Sequence, residues 1–317
     1  MTRVIAVGVS EITAQNSDSS LAPWLSLQVV TGSAAAPEVI WRRQTDRTTW
    51  LLEALEAYPS VRWVHTDTAG IERLPLQLFA DRGIMLSNAR GVHTSAVSEW
   101  ALGAMLLAAK GLDTIVRNSD RRDWVAFPPT FQLNGLTVLI LGMGSIGNAL
   151  AKTCSSLGMH VLGVARTRQP RESDAYLDRL FTAEDPWAAE LKRVTFLVVC
   201  LPLTESTKGL VDDGILRALR PEAWVINVGR GGVMNEYDLA LCVTENRIGG
   251  AILDTFAQEP LEPTSPLWGH PNIIISPHTS SFTTRTSART QDLFIAEAER
   301  YRLGLLPKNL IALKRGY

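Results

Sequence analysis

Cysteine is scarce in this chain, and that scarcity excludes two architectures common in small proteins. Only three cysteines, Cys154, Cys200 and Cys242, occur among 317 residues, and none belongs to a CxxC pair. A disulfide framework and a zinc knuckle both need paired cysteines, so neither is expected. The pattern favours a reducing, cytoplasmic compartment, and we predict no metal site.

The chain also lacks an excess of one charge and a long apolar run. Its 31 basic side chains nearly cancel the 32 acidic ones, giving a net charge of −1, so no global basic field would attract nucleic acid. The longest apolar stretch, residues 100–109, is far shorter than the roughly 20 residues of a membrane-spanning helix. We therefore expect neither a nucleic-acid partner nor a membrane partner.

The length predicts two domains, because domains commonly contain about 150 residues. The first part of the chain mixes short apolar strands with helical stretches such as residues 48–58, which is typical of a small α/β unit. Apolar residues spaced by three and four then predict one long amphipathic helix over residues 95–117. Residues 118–134 lack that periodicity and are interpreted as a connector.

Beyond the connector, continuous apolar runs alternate with helical patterns. Such runs are typical of parallel strands that are buried on both faces, so they predict a doubly wound, Rossmann-type sheet. The six predicted strands are residues 137–141, 161–164, 196–201, 224–228, 251–253 and 273–276.

A glycine-rich loop directly follows the first of these strands and precedes a helical stretch. Its residues are Gly142, Met143, Gly144, Ser145, Ile146 and Gly147. The first glycine permits a tight turn, the second lets the backbone approach a pyrophosphate, and the third allows close packing of helix on strand. In this context the GxGxxG pattern predicts dinucleotide binding; the alternative is a purely structural glycine turn.

The next predicted strand ends in residues that favour NADP over NAD. An NAD site usually has an acidic residue about 20 positions after the glycine loop, whereas this chain has Arg166, Thr167 and Arg168 after Ala165. Guanidinium groups can bind a 2′-phosphate, so we expect NADP to be preferred, with NAD possible. The alternative interpretation is that these arginines are ordinary solvated surface charges.

Polar side chains follow three later strands, where a buried sheet does not require them. Arg230 can bind a carboxylate through two hydrogen bonds, and His278 can exchange a proton near neutral pH. Glu259 can orient and charge that histidine. Because ligands lie beyond the carboxyl ends of parallel strands, we predict that these residues converge.

At these residues the sequence resembles the D-isomer-specific 2-hydroxyacid dehydrogenases. The resemblance rests on the GxGxxG loop, on Asn-Val-Gly-Arg-Gly around Arg230, and on Asp254 and Glu259 leading to His278. It implies that Arg230 binds the substrate carboxylate, that His278 is the acid/base and that Glu259 is its partner. The cofactor contacts it implies, beyond the glycine loop and residues 166–168, are Leu201, Pro202, Thr207, Val228, Gly229, Arg230, Asp254, His278 and Ser280.

The resemblance also implies the organisation of the rest of the chain. Residues 1–94 and 285–317 should form a smaller, discontinuous, flavodoxin-like substrate domain, and residues 95–284 the dinucleotide-binding domain. In the smaller domain, the backbone N–H groups of Ala69 and Gly70 should bind the substrate carboxylate. The sequence departs from the family pattern at two places: Glu72 stands where the family has aspartate, and Thr279-Ser280-Ser281 replaces small residues ending in glycine.

The function implied is hydride transfer between NADP(H) or NAD(H) and a small 2-oxo or 2-hydroxy acid, in a homodimer. Small polar oxo acids, glyoxylate or hydroxypyruvate, are the preferred substrates. Two alternatives stay open at this point. One is a dinucleotide-sensing binding protein of the corepressor kind on the same fold, and the other is a Rossmann protein without redox activity.

Overall fold

The computed structural model describes residues 3–7, 26–29, 37–43, 48–125, 130–167 and 172–313. The chain divides into two compact units. The first unit comprises Met1–His93 and Thr283–Tyr317, and the second comprises Thr94–Phe282. Both units are α/β, as predicted, and each is built on a parallel sheet.

The sheet of the first unit has five parallel strands within the described residues. Their order is β2-β1-β3-β4-β5, which is the flavodoxin-like 2-1-3-4-5 order and confirms the predicted fold class. The elements are β1 (Arg3–Val7), β2 (Ser26–Val29), β3 (Val39–Arg42), α1 (Thr48–Ala57), β4 (Trp63–Thr66), α2 (Leu76–Arg82), β5 (Met85–Asn88) and the late helix α8 (Thr286–Arg302).

Helix α8 packs on this first sheet through aromatic contacts. The ring of Phe294 in α8 stacks on Trp41 of β3, with centroids 4.1 Å apart, and lies 5.9 Å from the ring of Trp63 in β4. All three side chains are fully buried. After α8, the N–H of Ile311 donates to the carbonyl of Leu86 in β5 at 2.8 Å. The C-terminal segment therefore completes the core of the first unit.

The second unit contains a seven-stranded parallel sheet among its described residues. The strand order is β12-β11-β10-β9-β6-β7-β8, which read from β8 is the 3-2-1-4-5-6 Rossmann order with β12 added next to β11. The elements are α3 (Thr94–Lys110), α4 (Leu112–Arg121), β6 (Thr137–Leu141), α5 (Ser145–Ser156), β7 (His160–Ala165), β8 (Arg179–Thr182), β9 (Val194–Val199), α6 (Asp213–Ala218), β10 (Trp224–Asn227), α7 (Glu236–Thr244), β11 (Gly250–Leu253) and β12 (Ile273–Ile275).

The burial of the central strands explains why their continuous apolar runs could be recognised in the sequence. Every residue of β6, β9 and β11 is buried, because helices cover both faces of a doubly wound sheet. Short 3₁₀ segments, Glu172–Tyr176, Trp187–Arg193 and Gly231–Val233, connect some of the strands.

The structure corrects two sequence predictions. The helix predicted over residues 95–117 is two helices, because Gly111 adopts a left-handed backbone with φ +58° between α3 and α4, a conformation that glycine adopts without strain. The six strands predicted for the second unit are joined by a seventh, β8, whose four residues at the sheet edge are too few for a periodic signal. Strands β2 and β3 of the first unit are likewise only four residues long.

No helix among the described residues is long and apolar enough to cross a membrane.

The packing of α8 leads to a stability prediction. Phe294→Ala should destabilise the first unit by roughly 3 to 5 kcal/mol, the usual cost of truncating a fully buried aromatic side chain. Thermal and denaturant unfolding would measure this change, with Phe282→Ala as the control because Phe282 is 75% exposed. Equal stability of the two variants would show that α8 does not complete this core.

Candidate active site

The glycine loop between β6 and α5 has the geometry expected of a dinucleotide-binding turn. Gly142 has φ +105°, and a Cβ there would lie 2.8 Å from the carbonyl oxygen of Cys200. A Cβ on Gly147 would collide with the carbonyl of Gly142, whereas a Cβ on Gly144 would meet no described atom within 4 Å. The first and third glycines are thus required by packing, and the second keeps the backbone open at the start of α5. This arrangement fits a pyrophosphate.

The segments that follow β9 and β10 make a second close contact, with each other. A Cβ on Gly229, just after β10, would lie 2.6 Å from the carbonyl oxygen of Leu201, just after β9. The hydroxyl of Thr207 donates to the carbonyl of Pro202 at 2.7 Å and so closes the loop after β9. Val228, which is buried, donates its N–H to Val199 at 3.1 Å. These predicted cofactor residues therefore lie together at the carboxyl ends of the parallel strands.

The residues predicted to select NADP lie at the end of β7. Arg166 and Thr167 are exposed and directly follow Ala165, the last residue of that strand. Arg168 lies outside the described residues. Their contact with a 2′-phosphate stays a prediction.

His278 and Glu259 form the central polar pair. Nδ1 of His278 lies 2.9 Å from Oε2 of Glu259, and Oε1 of Glu259 accepts the N–H of Phe256 at 3.0 Å. Both carboxylate oxygens thus act as acceptors, which suits an ionised glutamate. With Nδ1–H donated to the carboxylate, Nε2 is the ring nitrogen that can exchange a proton with a substrate.

Asp254 holds the turn that carries this histidine. The Asp254 side chain is fully buried and accepts hydrogen bonds from the hydroxyl of Ser276 at 2.6 Å and from the N–H groups of Thr279 and Ser280 at 2.8 and 3.0 Å. His278 itself has φ +55°, a backbone conformation that is strained for a residue with a Cβ. The bonds to Asp254 on both sides of His278 offset that strain and fix the turn.

Sequence reasoning missed this anchoring role of Asp254 and assigned it only a contact with the cofactor. A carboxylate directly after a buried strand was a signal, but its partners lie 22 to 26 positions away and could not be paired from spacing alone. Its contact with the cofactor stays a prediction.

Arg230 follows β10, the neighbour of β11 in the sheet. The side chain of Asn227, at the end of β10, accepts the N–H of Gly229 at 3.0 Å and donates to the carbonyl of Arg230 at 3.2 Å. The Arg230 guanidinium donates to the carbonyl of Gly229 at 2.8 Å. The backbone of this turn is therefore fixed by a fully buried asparagine.

Arg230, Glu259 and His278 follow β10, β11 and β12, which are adjacent and parallel. The sheet therefore brings a cation, a carboxylate and a histidine to the carboxyl ends of its strands, where the glycine loop also lies. Such a set can bind an anion and move a proton. Their roles as catalytic residues stay predictions.

The loop predicted to bind substrate in the first unit has a defined backbone. The side chain of Asn88 donates to the carbonyl of Ala69 at 2.6 Å, and the hydroxyl of Thr68 donates to the carbonyl of Gly70 at 2.8 Å. Because a trans peptide points its N–H opposite to its carbonyl, the Gly70 N–H points away from Asn88. Substrate binding by Ala69 and Gly70 stays a prediction.

Asp67 precedes this loop and has a perturbed carboxyl. Burial raises the pKa of Asp67 to about 6, although a hydrogen bond from the Trp41 indole and the charges of Arg43 and Arg42 oppose the rise. The indole Nε1 of Trp41 lies 2.6 Å from Oδ1 of Asp67, and Nε of Arg43 lies 3.8 Å from Oδ2.

Comparison with known proteins supplies independent information. Residues 102–280, more than half of the chain, match the family model described as D-isomer specific 2-hydroxyacid dehydrogenase, NAD binding domain. The chain is 32% identical over 247 residues to glyoxylate/hydroxypyruvate reductase A of Arabidopsis thaliana, covering 77% of this chain and 76% of the relative. It is 29% identical over 264 residues to the glyoxylate reductase of Korarchaeum cryptofilum, covering 82% and 78%.

Solved structures show the same likeness. A D-isomer specific 2-hydroxyacid dehydrogenase family protein from Aeromonas salmonicida matches with a TM-score of 0.81 at 27% identity, over 99% of this chain and 100% of that one. An NADPH-dependent glyoxylate/hydroxypyruvate reductase from Sinorhizobium meliloti, in complex with NADP and sulfate, matches with a TM-score of 0.82 over the whole of both chains. Its identity is 22%, so this second match speaks for the fold alone.

Proposed function

The chain belongs to the D-isomer specific 2-hydroxyacid dehydrogenase family, and we propose that it reduces small 2-oxo acids, either glyoxylate to the achiral glycolate or hydroxypyruvate to D-glycerate. That it is an NAD(P)-dependent 2-hydroxyacid dehydrogenase follows from its family. The observation that carries the proposal is the hydrogen bond between His278 and Glu259, which lies at the same sheet edge as Arg230 and the glycine loop. The substrate choice is supported by the names of the relatives in Arabidopsis thaliana and Korarchaeum cryptofilum.

His278 is the proton donor of the proposed reaction. Glu259 accepts the Nδ1–H, so its negative charge stabilises the imidazolium before the reaction and orients the ring. The proton then passes from Nε2 to the carbonyl oxygen of the substrate, which becomes the hydroxyl of the product. The positive charge of the imidazolium also stabilises the oxygen as negative charge develops on it.

Arg230 binds the substrate carboxylate. A guanidinium can donate two parallel hydrogen bonds to a carboxylate, which fixes both the position and the plane of a small acid. The turn that presents Arg230 is held by the buried Asn227, so the guanidinium starts from a fixed backbone. This placement accounts for selection of an acid group on the substrate.

The glycine loop and the ends of β7, β9 and β10 would hold the nicotinamide dinucleotide. Residues 142–147 would bind the pyrophosphate, and Leu201, Pro202, Thr207, Val228 and Gly229 would contact the cofactor nearby, with Asp254 and Ser280 beyond them. When bound, the reduced cofactor supplies the hydride that reaches the carbonyl carbon.

The alternative function, a dinucleotide-sensing binding protein without enzymatic activity, is less well supported than the reductase. A sensor of dinucleotides has no need of a histidine that donates Nδ1–H to an ionised carboxylate, or of a buried aspartate that holds this histidine in a left-handed conformation. The His278–Glu259 pair and the buried Asp254 together favour a site that transfers a proton at the carboxyl ends of the strands.

The proton-donor role makes a kinetic prediction. His278→Asn should lower kcat with glyoxylate or hydroxypyruvate by roughly a hundredfold to ten-thousandfold, the usual range for loss of general acid catalysis, with KM for NADPH little changed. Steady-state assays of NADPH absorbance would measure both constants. His160→Asn is a matched control, because His160 is exposed and lies at the start of β7, the opposite end of that strand from Arg166.

Glu259→Gln tests the same pair by pH. Removing the charge makes the imidazolium less favourable, so the alkaline limb of the pH profile for reduction should move to lower pH.

Wild-type turnover in His278→Asn would remove this histidine from the mechanism. The absence of oxo-acid-dependent NADPH or NADH oxidation in the unmodified protein, across a panel of 2-oxo acids, would overturn the proposed function itself.

We propose that NADP is preferred over NAD. Ala165 ends β7 without a carboxylate, and Arg166 and Thr167 follow it on an exposed segment. Residues 165–167 thus carry no acidic side chain that would repel a 2′-phosphate, and they include a cation. Screening by solvent and salt limits the effect, because an exposed ion pair is weak.

Cofactor preference can be measured directly. A charge-assisted contact is worth about 1.5 to 3 kcal/mol, so kcat/KM should favour NADPH over NADH by roughly tenfold to a hundredfold at low salt. Arg166→Ala should reduce that ratio through KM for NADPH, with kcat nearly constant, because the 2′-phosphate is remote from the reacting atoms. Arg247→Ala, which removes another exposed arginine of the second unit, serves as control. Equal kcat/KM for both cofactors at low salt would contradict the preference.

We also propose that the protein is a homodimer assembled through α4 and the residues after it. Leu112, Ile115 and Val116 are 43%, 45% and 60% exposed and lie on one face of α4, spaced by three and four. Trp124 and Val125 follow at 97% and 57% exposed. An almost fully exposed indole that follows a helix with three exposed aliphatic side chains is typical of a protein interface, and a second copy presents the same surface.

The dimer surface can be tested by charge substitution. The double variant Ile115→Asp/Trp124→Asp should be a monomer by light scattering and sedimentation, because two charges would be buried in the interface. Tyr237→Asp should keep the mass of the unmodified protein, since Tyr237 is 67% exposed on α7, a different helix. A monomeric unmodified protein, or an unchanged mass in the double variant, would exclude this interface.

A further inference from the structure

Two glutamates bind consecutive N–H groups in the loop after β11. Oε1 of Glu236, the first residue of α7, accepts the N–H of Ala257 at 2.6 Å. Oε1 of Glu259 accepts the N–H of the preceding residue, Phe256, at 3.0 Å. The loop that carries Glu259 is therefore held both by Glu259 itself and by a carboxylate from another element.

The turn after Arg230 contacts the same loop. A Cβ added to Gly231 would collide with the backbone of Phe256 and Ala257, so this turn and the loop are in direct backbone contact. The segment from Gly231 to Glu236 therefore touches the Phe256–Ala257 peptide at both of its ends. This contact links the Arg230 turn to the Glu259 loop.

Helix capping does not account for the position of Glu236. The side chain of Asn235 is the N-cap of α7 and accepts the N–H groups of Tyr237 and Asp238. The Glu236 carboxylate is instead directed to Ala257, which lies 21 positions further along the chain. A first-turn acid is favourable to the helix dipole at any exposed angle, so this specific contact needs another explanation.

The electrostatics of Glu236 place it within reach of Glu259. Burial raises the pKa of the half-buried Glu236 carboxyl, the hydrogen bond from Ala257 lowers it, and the charge of Glu259 raises it. Glu259, the charged group that acts on Glu236, is itself hydrogen-bonded to His278. The charge of Glu236 therefore interacts with the carboxylate that binds the imidazole.

We propose that Glu236 is a positioning residue for the His278–Glu259 pair. Its hydrogen bond to Ala257 fixes the loop so that Glu259 can bind Phe256 and His278 together, and its charge adds to that of Glu259 in favouring the imidazolium. It touches neither substrate nor cofactor in this role. The proposal deepens the proposed reductase function and, as a statement about catalysis, rests on it.

The test compares two substitutions at one position. Glu236→Gln keeps an oxygen that can accept the N–H of Ala257 but removes the charge, whereas Glu236→Ala removes both. Asp238→Asn is the matched control, because it neutralises the other first-turn acid of α7. The readouts are kcat and KM against pH with hydroxypyruvate and NADPH, and the titration midpoint of the His278 ring by NMR in the protein without cofactor, assigned by its loss in His278→Asn.

Four results are expected. Glu236→Ala should lose roughly tenfold to a hundredfold in kcat at its optimal pH, because displacement of a catalytic pair by about 1 Å has an effect of that size. Glu236→Gln should retain most of the kcat that Glu236→Ala loses. In both variants the His278 midpoint should move to lower pH, because a negative charge that acts on the partner of this imidazole is removed. Asp238→Asn should change neither quantity.

The outcomes separate this inference from the proposed function. Wild-type kcat in Glu236→Ala, or an equal loss in Asp238→Asn, would overturn the positioning role. An unmoved His278 midpoint in both Glu236 variants would overturn the electrostatic part. If the unmodified protein reduces no 2-oxo acid, the proposed function fails, while the NMR titration still decides whether Glu236 acts on the pair. If Glu236→Ala does not fold, Glu236→Gln and the titration decide alone.

Discussion

The buried carboxylate of Asp254 is the interaction on which the site depends. A charged group without exposure to water is costly unless hydrogen bonds replace its hydration, and here one hydroxyl and two backbone N–H groups do so. Those donors all come from the turn that contains His278. The sheet core therefore fixes the histidine indirectly, because Asp254 is the first residue after β11 and cannot move without breaking its bonds.

This anchoring explains how a strained residue can serve as a proton donor. His278 has a left-handed backbone, which by itself costs about 1 to 3 kcal/mol for a residue with a Cβ. Bonds on both sides of it hold the conformation, and the ring is then directed to Glu259 at 2.9 Å. A histidine placed in this way needs little reorganisation when it transfers a proton, which is the condition for electrostatic preorganisation.

Glycines provide the second constraint, since they allow the strand ends to come together. Gly142 approaches the backbone after β9, Gly229 approaches Leu201, and Gly231 approaches the loop after β11. Each contact would be blocked by a Cβ. The loops that follow β6, β9, β10 and β11 are thus packed against one another, so a displacement in one of them is passed on to the next.

Several parts of this organisation were predictable because they depend on local pattern. Apolar runs such as β6 and β9 are buried on both faces, so their composition alone identifies them as parallel strands. Gly142, Gly144 and Gly147 lie between a strand and a helix, and that context gives their spacing a meaning. Strand β8 and the break at Gly111 were missed, because a four-residue edge strand has little periodicity and a glycine within an apolar helix pattern does not show its backbone angle.

The sequence by itself determined the α/β class, the glycine turn, and the residue types that follow β10, β11 and β12. It could do so because strand burial, turn conformation and side-chain chemistry are properties of short segments. Only the tertiary structure decided the pairing of His278 with Glu259, the burial of Asp254 beneath the histidine turn, and the contact of Glu236 with Ala257. These contacts join residues 19 to 26 positions apart. Their geometry depends on how neighbouring strands align in the sheet, which no local pattern specifies.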